Sequence, residues 1–170
     1  NFLQKARSAP ESKISRMAQY YLGQAYGITG DPAQSTRVLS AFISAPSNPP
    51  GLAKRAGVRQ SFNRYLLGDA AAAKEQLNTL LQSEPSPNLM ADILLACTEY
   101  KQDAPEVVIQ ASTMARKGHG RPFIRLNFAL GKYYLWKQNF AKAVEYMEAG
   151  RDKSNKNRIE FNDPLILVNL

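Results

Sequence analysis

The apolar positions of the chain fall into short runs spaced by three and four residues, each run closed by turn-forming residues. From Glu11 to about Thr29 they are Ile14, Met17, Ala18, Tyr21, Leu22, Ala25 and Ile28, one face of a helix. Gly30-Asp31-Pro32 stops that helix. Pro32 suits the first turn of a second one, which runs to about Ile43 with Val38, Leu39 and Phe42 as its apolar face. Ser44–Gly51 (SAPSNPPG) is a break. Leu52–Leu67 predicts the next helix and Gly68-Asp69 the next turn. Ala70–Gln82 follows, with Leu77, Leu80 and Leu81 on one side and four alanines at its start, small enough to let two helices approach closely. Glu84-Pro85-Ser86-Pro87 ends that unit. Asn88–Lys101 is apolar at Leu89, Ile93, Leu94 and Cys97, and Val107, Val108, Ala111 and Met114 lie on its successor. Gly118-His119-Gly120-Arg121-Pro122 closes the latter, with Gly118 expected as its C-terminal cap. Phe123–Lys137 and Phe140–Arg151 form a last pair, and Asp152–Arg158 reads as polar and basic.

The elements therefore come in twos, and Leu130–Gly150 (LGKYYLWKQNFAKAVEYMEAG) is the clearest example. Its first helix carries Leu130, Gly131 and Tyr134 on one face, and its second carries Ala143, Met147 and Gly150. This resembles the tetratricopeptide repeat, with its Leu-Gly-x-x-Tyr pattern followed by Ala and further apolar and small positions. Leu22-Gly23, Ala25-Tyr26 and Gly30-Asp31 match the first half of one unit, while Ser35 and Leu39 match its second half less well. Ser61, Gly68-Asp69, Ala73, Leu77 and Pro85 match another, although Gln60 and Arg64 stand where Leu and Tyr are usual. Leu95-Ala96, Val108 and Ala115 match a third, with Glu99 replacing the Tyr. The equivalent positions 22, 60, 95 and 130 are 38, 35 and 35 apart, against about 34 for this repeat.

The resemblance covers roughly residues 12–152 and implies an all-α fold, a right-handed superhelical α-solenoid of antiparallel helix pairs. The pairs would be about 12–48, 49–86, 87–120 and 121–158. Residues 1–11 would be the second helix of a truncated preceding repeat, and 159–170, where Asn162-Asp163-Pro164 reads as a helix start, a capping helix or the start of the next repeat. The chain begins with Asn1 inside a helical pattern, so we read it as a fragment or processed form of a longer protein. An unrelated antiparallel helical bundle is the alternative. One helix pair cannot bury its apolar face alone, which favours stacked neighbours.

Charge changes the picture next. The formal net charge is +8 and uneven. No acid occurs from Pro32 to Gly68, where Arg37, Lys54, Arg55, Arg59 and Arg64 lie. None occurs from Val107 to Val144, where Arg116, Lys117, Arg121, Arg125, Lys132, Lys137 and Lys142 lie. Such blocks favour an acidic partner. The single cysteine excludes an intramolecular disulfide, and no apolar run reaches the roughly 18 residues of a membrane span.

Candidate chemistry is sparse, and we expect no enzyme, cofactor or metal. One His and one Cys cannot make a four-ligand zinc site of those residues, and Gly118-His119-Gly120 lacks the strand and spacing of a phosphate-binding loop. His119 reads as a solvent-exposed turn residue and Cys97 as a packed thiol.

The resemblance instead implies that the first helix of each pair lines a concave groove. Its groove positions here are Tyr20, Gln24 and Ile28; Arg55 and Arg59; Ile93, Cys97, Tyr100 and Lys101; and Arg125, Phe128, Lys132 and Trp136. Aromatics mixed with cations suit an extended protein segment with acidic and apolar side chains. The plain alternative is that these cations only solvate the surface. Chaperone-binding members of the family grip a carboxylate with Lys and Asn where this chain has Tyr20 and Gln24, which argues against that form of clamp. The expected function is a non-enzymatic protein-interaction scaffold with Arg125, Lys132 and Trp136 on one wall, self-association remaining compatible. The Ala- and Gln-rich composition and short loops suggest a bacterial protein; the resemblance then implies a role in envelope assembly, secretion or polysaccharide export, with the compartment, periplasm or cytoplasm, left open. Two other readings stand: an RNA-binding helical repeat, whose code-like pattern Leu-Gly-x-x-Tyr does not follow, and a regulatory or targeting arm of a larger enzyme or outer-membrane protein.

Overall fold

Eight α-helices and no strand make up the described part of the computed structural model, residues 13–156 apart from 47, 49, 50 and 84. They are α1 (Lys13–Ile28), α2 (Pro32–Ile43), α3 (Leu52–Leu66), α4 (Ala70–Ser83), α5 (Pro87–Tyr100), α6 (Pro105–Lys117), α7 (Arg121–Trp136) and α8 (Phe140–Lys156). The segments expected as a truncated helix before Pro10 and as a capping helix after residue 158 lie outside the described residues. Proline opens several elements because its missing N–H is one the first helical turn leaves unpaired anyway. Thus α5 begins at Pro87, one residue before its periodic pattern, with the Ser86 side chain accepting the Leu89 N–H at 3.2 Å. At the other end, α8 runs five residues past Arg151. Its last turns are anchored: Ser154 is buried, and Lys153 Nζ donates to the Gly118 carbonyl at 2.8 Å.

The chain divides between Glu84 and Pro85 into two compact units. In the first, α2 packs on α1 and α3, α3 also on α4, and α1 reaches α3. Tyr20, Leu39, Phe42, Leu52 and Ala56 form one cluster there, with Met17 and Ile43 against it. Gly23 sets the closeness of α1 and α2: a Cβ there would lie 2.6 Å from Leu39 Cδ2. A buried polar chain crosses the same spot. Ser35 Oγ donates to the Gly23 carbonyl at 2.7 Å, and Asn63 Nδ2 donates to Ser35 Oγ at 2.7 Å, so the Ser35 hydroxyl is satisfied both ways, while Asn63 Oδ1 is buried without a hydrogen-bond partner.

In the second unit α5 packs on α6 and α7, α6 also touches α7, and α7 packs on α8. Ile93, Leu94, Ile124, Leu126 and Leu130 are fully buried. A Cβ at Gly131 would lie 2.7 Å from Met147 Cγ and 3.3 Å from the Ala143 carbonyl oxygen. Tyr134 and Tyr146 stack across α7 and α8, ring centroids 5.5 Å apart and planes within 3°. Gly118 follows α6 as expected of a cap, but its backbone is extended (φ −105°) rather than left-handed. Glycine is needed there because a Cβ would fall 1.9 Å from the Phe123 ring.

Three of the turns inside helix pairs are built alike. Gly30, Gly68 and Gln138 take left-handed φ of 91°, 86° and 58°. The next residue, Asp31, Asp69 or Asn139, sends its N–H back to the carbonyl of Tyr26, Arg64 or Tyr134 at 2.8 to 2.9 Å. Its side chain then accepts the N–H of Gln34, Ala72 or Lys142 at 3.0 to 3.2 Å and caps the second helix. The turn between α5 and α6 departs from this plan.

Candidate functional site

In that third turn the left-handed residue is Lys101 (φ 55°), two positions earlier than its counterparts, and the N-cap of α6 is Ala104, with no side-chain cap. The local acid, Asp103, accepts the Ala104 N–H at 2.9 Å but no N–H further into α6, and otherwise turns to α7. Its Oδ1 accepts from the Tyr133 hydroxyl and its Oδ2 from Lys137 Nζ at 2.8 Å, both on α7. Helical spacing puts Tyr133, Trp136 and Lys137 within about one turn of each other, which is why one carboxylate meets two of them. Lys137 Nζ lies 5.1 Å from the Trp136 ring centroid and Lys101 Nζ 5.9 Å from it. Tyr133 meets Trp136 edge-on at 5.5 Å. Each ammonium so disposed is worth roughly 0.5–1 kcal/mol at an exposed ring.

Electrostatics fit this geometry. Partial desolvation acts to raise the Asp103 pKa, but the hydrogen bonds from Lys137 and Tyr133, the Lys137 charge and the Ala104 N–H outweigh it and hold the carboxyl below its ordinary value. Burial first, then the Asp103 hydrogen bond and charge, push the Tyr133 phenol up. Burial lowers the Lys132 pKa, one turn before Trp136 on α7. The Cys97 thiol, fully buried, is pushed up to about 12 by desolvation and by Asp103, so it is a poor nucleophile.

The residues expected at the groove are distributed as follows. Tyr20 is buried in the first unit's core, and Arg59, Tyr100 and Phe128 are also buried, the Phe128 ring 3.3 Å from where a Gly150 Cβ would stand. Those four expose little surface. Gln24 and Arg55 are half-buried and Ile28 is exposed, while Ile93 and Cys97 are both fully buried. Arg125 is joined to Asp92 by a salt bridge and donates to the Asn88 carbonyl at 3.1 Å, tying α7 to α5. Lys132 and Trp136 are half-buried and Lys101 is exposed. Of the expected residues, Lys101 and Trp136 come together from different elements. Asp103, Tyr133 and Lys137 belong to the same arrangement and were not singled out. Their one sequence signal is the third turn, which reads Asp103-Ala104 where two others read Gly-Asp.

A concavity of about 590 Å³ elsewhere in the second unit is lined by Met90, Ile109, Met114 and Phe123 among others and carries no cluster of charge. His119 is exposed between α6 and α7. Among the described residues no three His, Cys, Asp or Glu side chains converge, and no helix is long and apolar enough to cross a membrane. Comparison with known protein families, with characterised proteins and with solved structures returns no match.

Proposed function

We propose that the chain is a tetratricopeptide-like scaffold, its helix pairs stacked as a right-handed solenoid, that binds an acidic, partly apolar protein segment without catalysis. Two regularities support the repeat. The small residues Gly23, Ser61, Ala96 and Gly131 are each followed twelve positions later by Ser35, Ala73, Val108 and Ala143, and all eight are buried. Three of the four turns also share one capping scheme. Both follow if each pair solves the same packing problem.

The observation that carries the binding surface is the half-exposed Trp136 with two ammonium groups about it and Lys132 one turn away. A large aromatic face contributes binding area at small entropic cost, and the lysines favour carboxylates. Repeat packing requires none of Lys101, Lys132 and Trp136. Arg125 contributes instead by holding α7 against α5.

The test is a pull-down with the wild type and with the Lys132→Glu, Trp136→Ala variant, matched for helical content. The reading expects a prey that the wild type retains, the variant loses and an acidic peptide displaces. A prey held equally by both proteins would refute it. RNA binding at low salt that fades steeply as salt rises would favour the nucleic-acid alternative.

A further inference from the structure

Resting on that reading, we infer that Asp103 is a built-in competitor of the partner's carboxylates: it occupies Lys137 and Tyr133 in the unliganded chain and so selects partners with clustered acids. Three observations lead there. Asp103 makes the contacts an incoming carboxylate would make, one oxygen toward a phenol hydroxyl and the other toward an ammonium at 2.8 Å. Its side chain is 44% exposed, so it can be displaced without opening a core. The third departs from local rules. The counterpart of the capping residues Asp31, Asp69 and Asn139 is Ala104, which has no side-chain acceptor, and the acid stands one residue earlier, where Asp103 accepts the Ala104 N–H at 2.9 Å and otherwise faces α7.

Lys101 completes the arrangement. It adopts φ 55°, where the first two sister turns use glycine, and its ammonium lies 5.9 Å from the Trp136 ring. A left-handed backbone strains any residue with a Cβ. A missing cap leaves N–H groups of the first helical turn without a side-chain acceptor. Two such departures in one turn, one bringing an ammonium to Trp136 and the other beside an acid committed to Tyr133 and Lys137, are what a binding site retained against fold stability looks like. An isolated carboxylate finds Lys137 already neutralised and engages Lys101 without it. A segment with adjacent acids engages Lys101 with one and takes Lys137 from Asp103 with another.

The experiment titrates a capped hexaglutamate peptide into the full chain and reads Trp136, the single tryptophan of the sequence, by fluorescence, with calorimetry as a second readout. Asp103→Asn is expected to bind roughly three- to tenfold more tightly than wild type, the scale of one exposed charge pair. Asp152→Asn, some 18 Å farther along α8 from Phe140, controls for net charge and is expected to change affinity little. Lys101→Gly, which cannot fail through backbone strain, is expected to weaken binding about threefold or more while the melting temperature holds or rises.

Binding by Asp103→Asn alone would also support the proposal. Equal or weaker binding by Asp103→Asn, an equal gain from Asp152→Asn, or unchanged affinity in Lys101→Gly would overturn it and leave the scaffold reading standing. No binding by any of the proteins would overturn both.

Discussion

Two glycines of the first unit separate close approach from helix propensity. At Gly23, on α1, an added Cβ would lie 2.6 Å from Leu39 Cδ2 and 2.7 Å from its Cγ. At Gly57, on α3, it would lie 3.5 Å from Leu80 Cδ1, an ordinary van der Waals contact. In both helices alanine gains about 1 kcal/mol over glycine. At Gly57 little opposes the gain, so Gly57→Ala should stabilise by about 1 kcal/mol. At Gly23 the gain meets a fully buried Leu39 with no route to solvent. Either Leu39 leaves its rotamer or the helices part by close to an ångström, an overpacking cost of about 1–3 kcal/mol. Parting also stretches the Ser35–Gly23 hydrogen bond, worth about 1 kcal/mol. The net expectation for Gly23→Ala is a loss of about 1–3 kcal/mol, some 2–4 kcal/mol below Gly57→Ala. Urea unfolding followed by far-ultraviolet circular dichroism measures both, and because both sites lie in one compact unit they report on one transition. A Gly23→Ala midpoint equal to or above wild type would refute the argument for an enforced close approach.

Other substitutions probe other parts of the structure. Asn63→Ala removes the donor to Ser35 Oγ in a fully buried setting and should cost about 1–3 kcal/mol by the same urea assay. Arg125→Met leaves Asp92, whose side chain is 13% exposed, without that cation. It should cost about 1–3 kcal/mol, and Arg125→Lys should recover only part because one ammonium cannot reach both Asp92 and the Asn88 carbonyl with a guanidinium's geometry. Cys97 should resist maleimide at pH 7 in the native chain and react on unfolding, which mass spectrometry would follow; rapid native labelling would contradict its burial. Asp103 has a depressed folded pKa, so its contribution to stability is present above the ordinary carboxyl range and lost as pH falls through the folded value. For Tyr133, whose folded pKa is raised, the contribution is present below about pH 10 and lost as pH rises further. Asp103→Asn should therefore flatten the acid limb of a stability profile, and Tyr133→Phe the alkaline limb. Wild-type slopes retained in either variant would contradict the assignment.

The helices were legible because their apolar faces and their punctuation agree. Gly30-Asp31-Pro32 and Gly68-Asp69 announce a left-handed residue followed by a cap, and both turns are built that way. Gln138 was harder to read, since nothing in its chemistry demands a left-handed backbone; the geometry is imposed by the same turn in a pair that packs closely at Gly131. Boundaries drifted where tertiary contacts extended a helix, as Ser154 and Lys153 do for α8. The candidate site was only half legible. Trp136 and Lys101 stand out by type and position. Tyr100 and Phe128 share that type, yet they are buried, and periodicity alone does not say which side of a half-covered helix meets solvent. The Asp103 contacts join residues 30 and 34 apart in the chain, a pairing that no local pattern encodes.

The third turn is therefore the most informative part of the molecule, and the reason is comparative. Within one chain, several turns solve the same geometric problem, so the others serve as its controls. If packing alone governed the third, a glycine at the left-handed position and an acid one residue later would serve it as they serve the turns after α1 and α3. A lysine stands at the strained position instead, and the acid falls two residues beyond it, across from Tyr133 and Lys137. Gln138 shows that a non-glycine left-handed residue alone does not mark a site, since its turn keeps the Asn139 cap. What distinguishes the third turn is the coincidence of strain, a missing side-chain cap and a carboxylate committed to the neighbouring pair. Each departure costs the fold something, and all of them meet around Trp136, which is why the binding surface is sought there rather than along the first unit, where Tyr20 and Arg59 are buried.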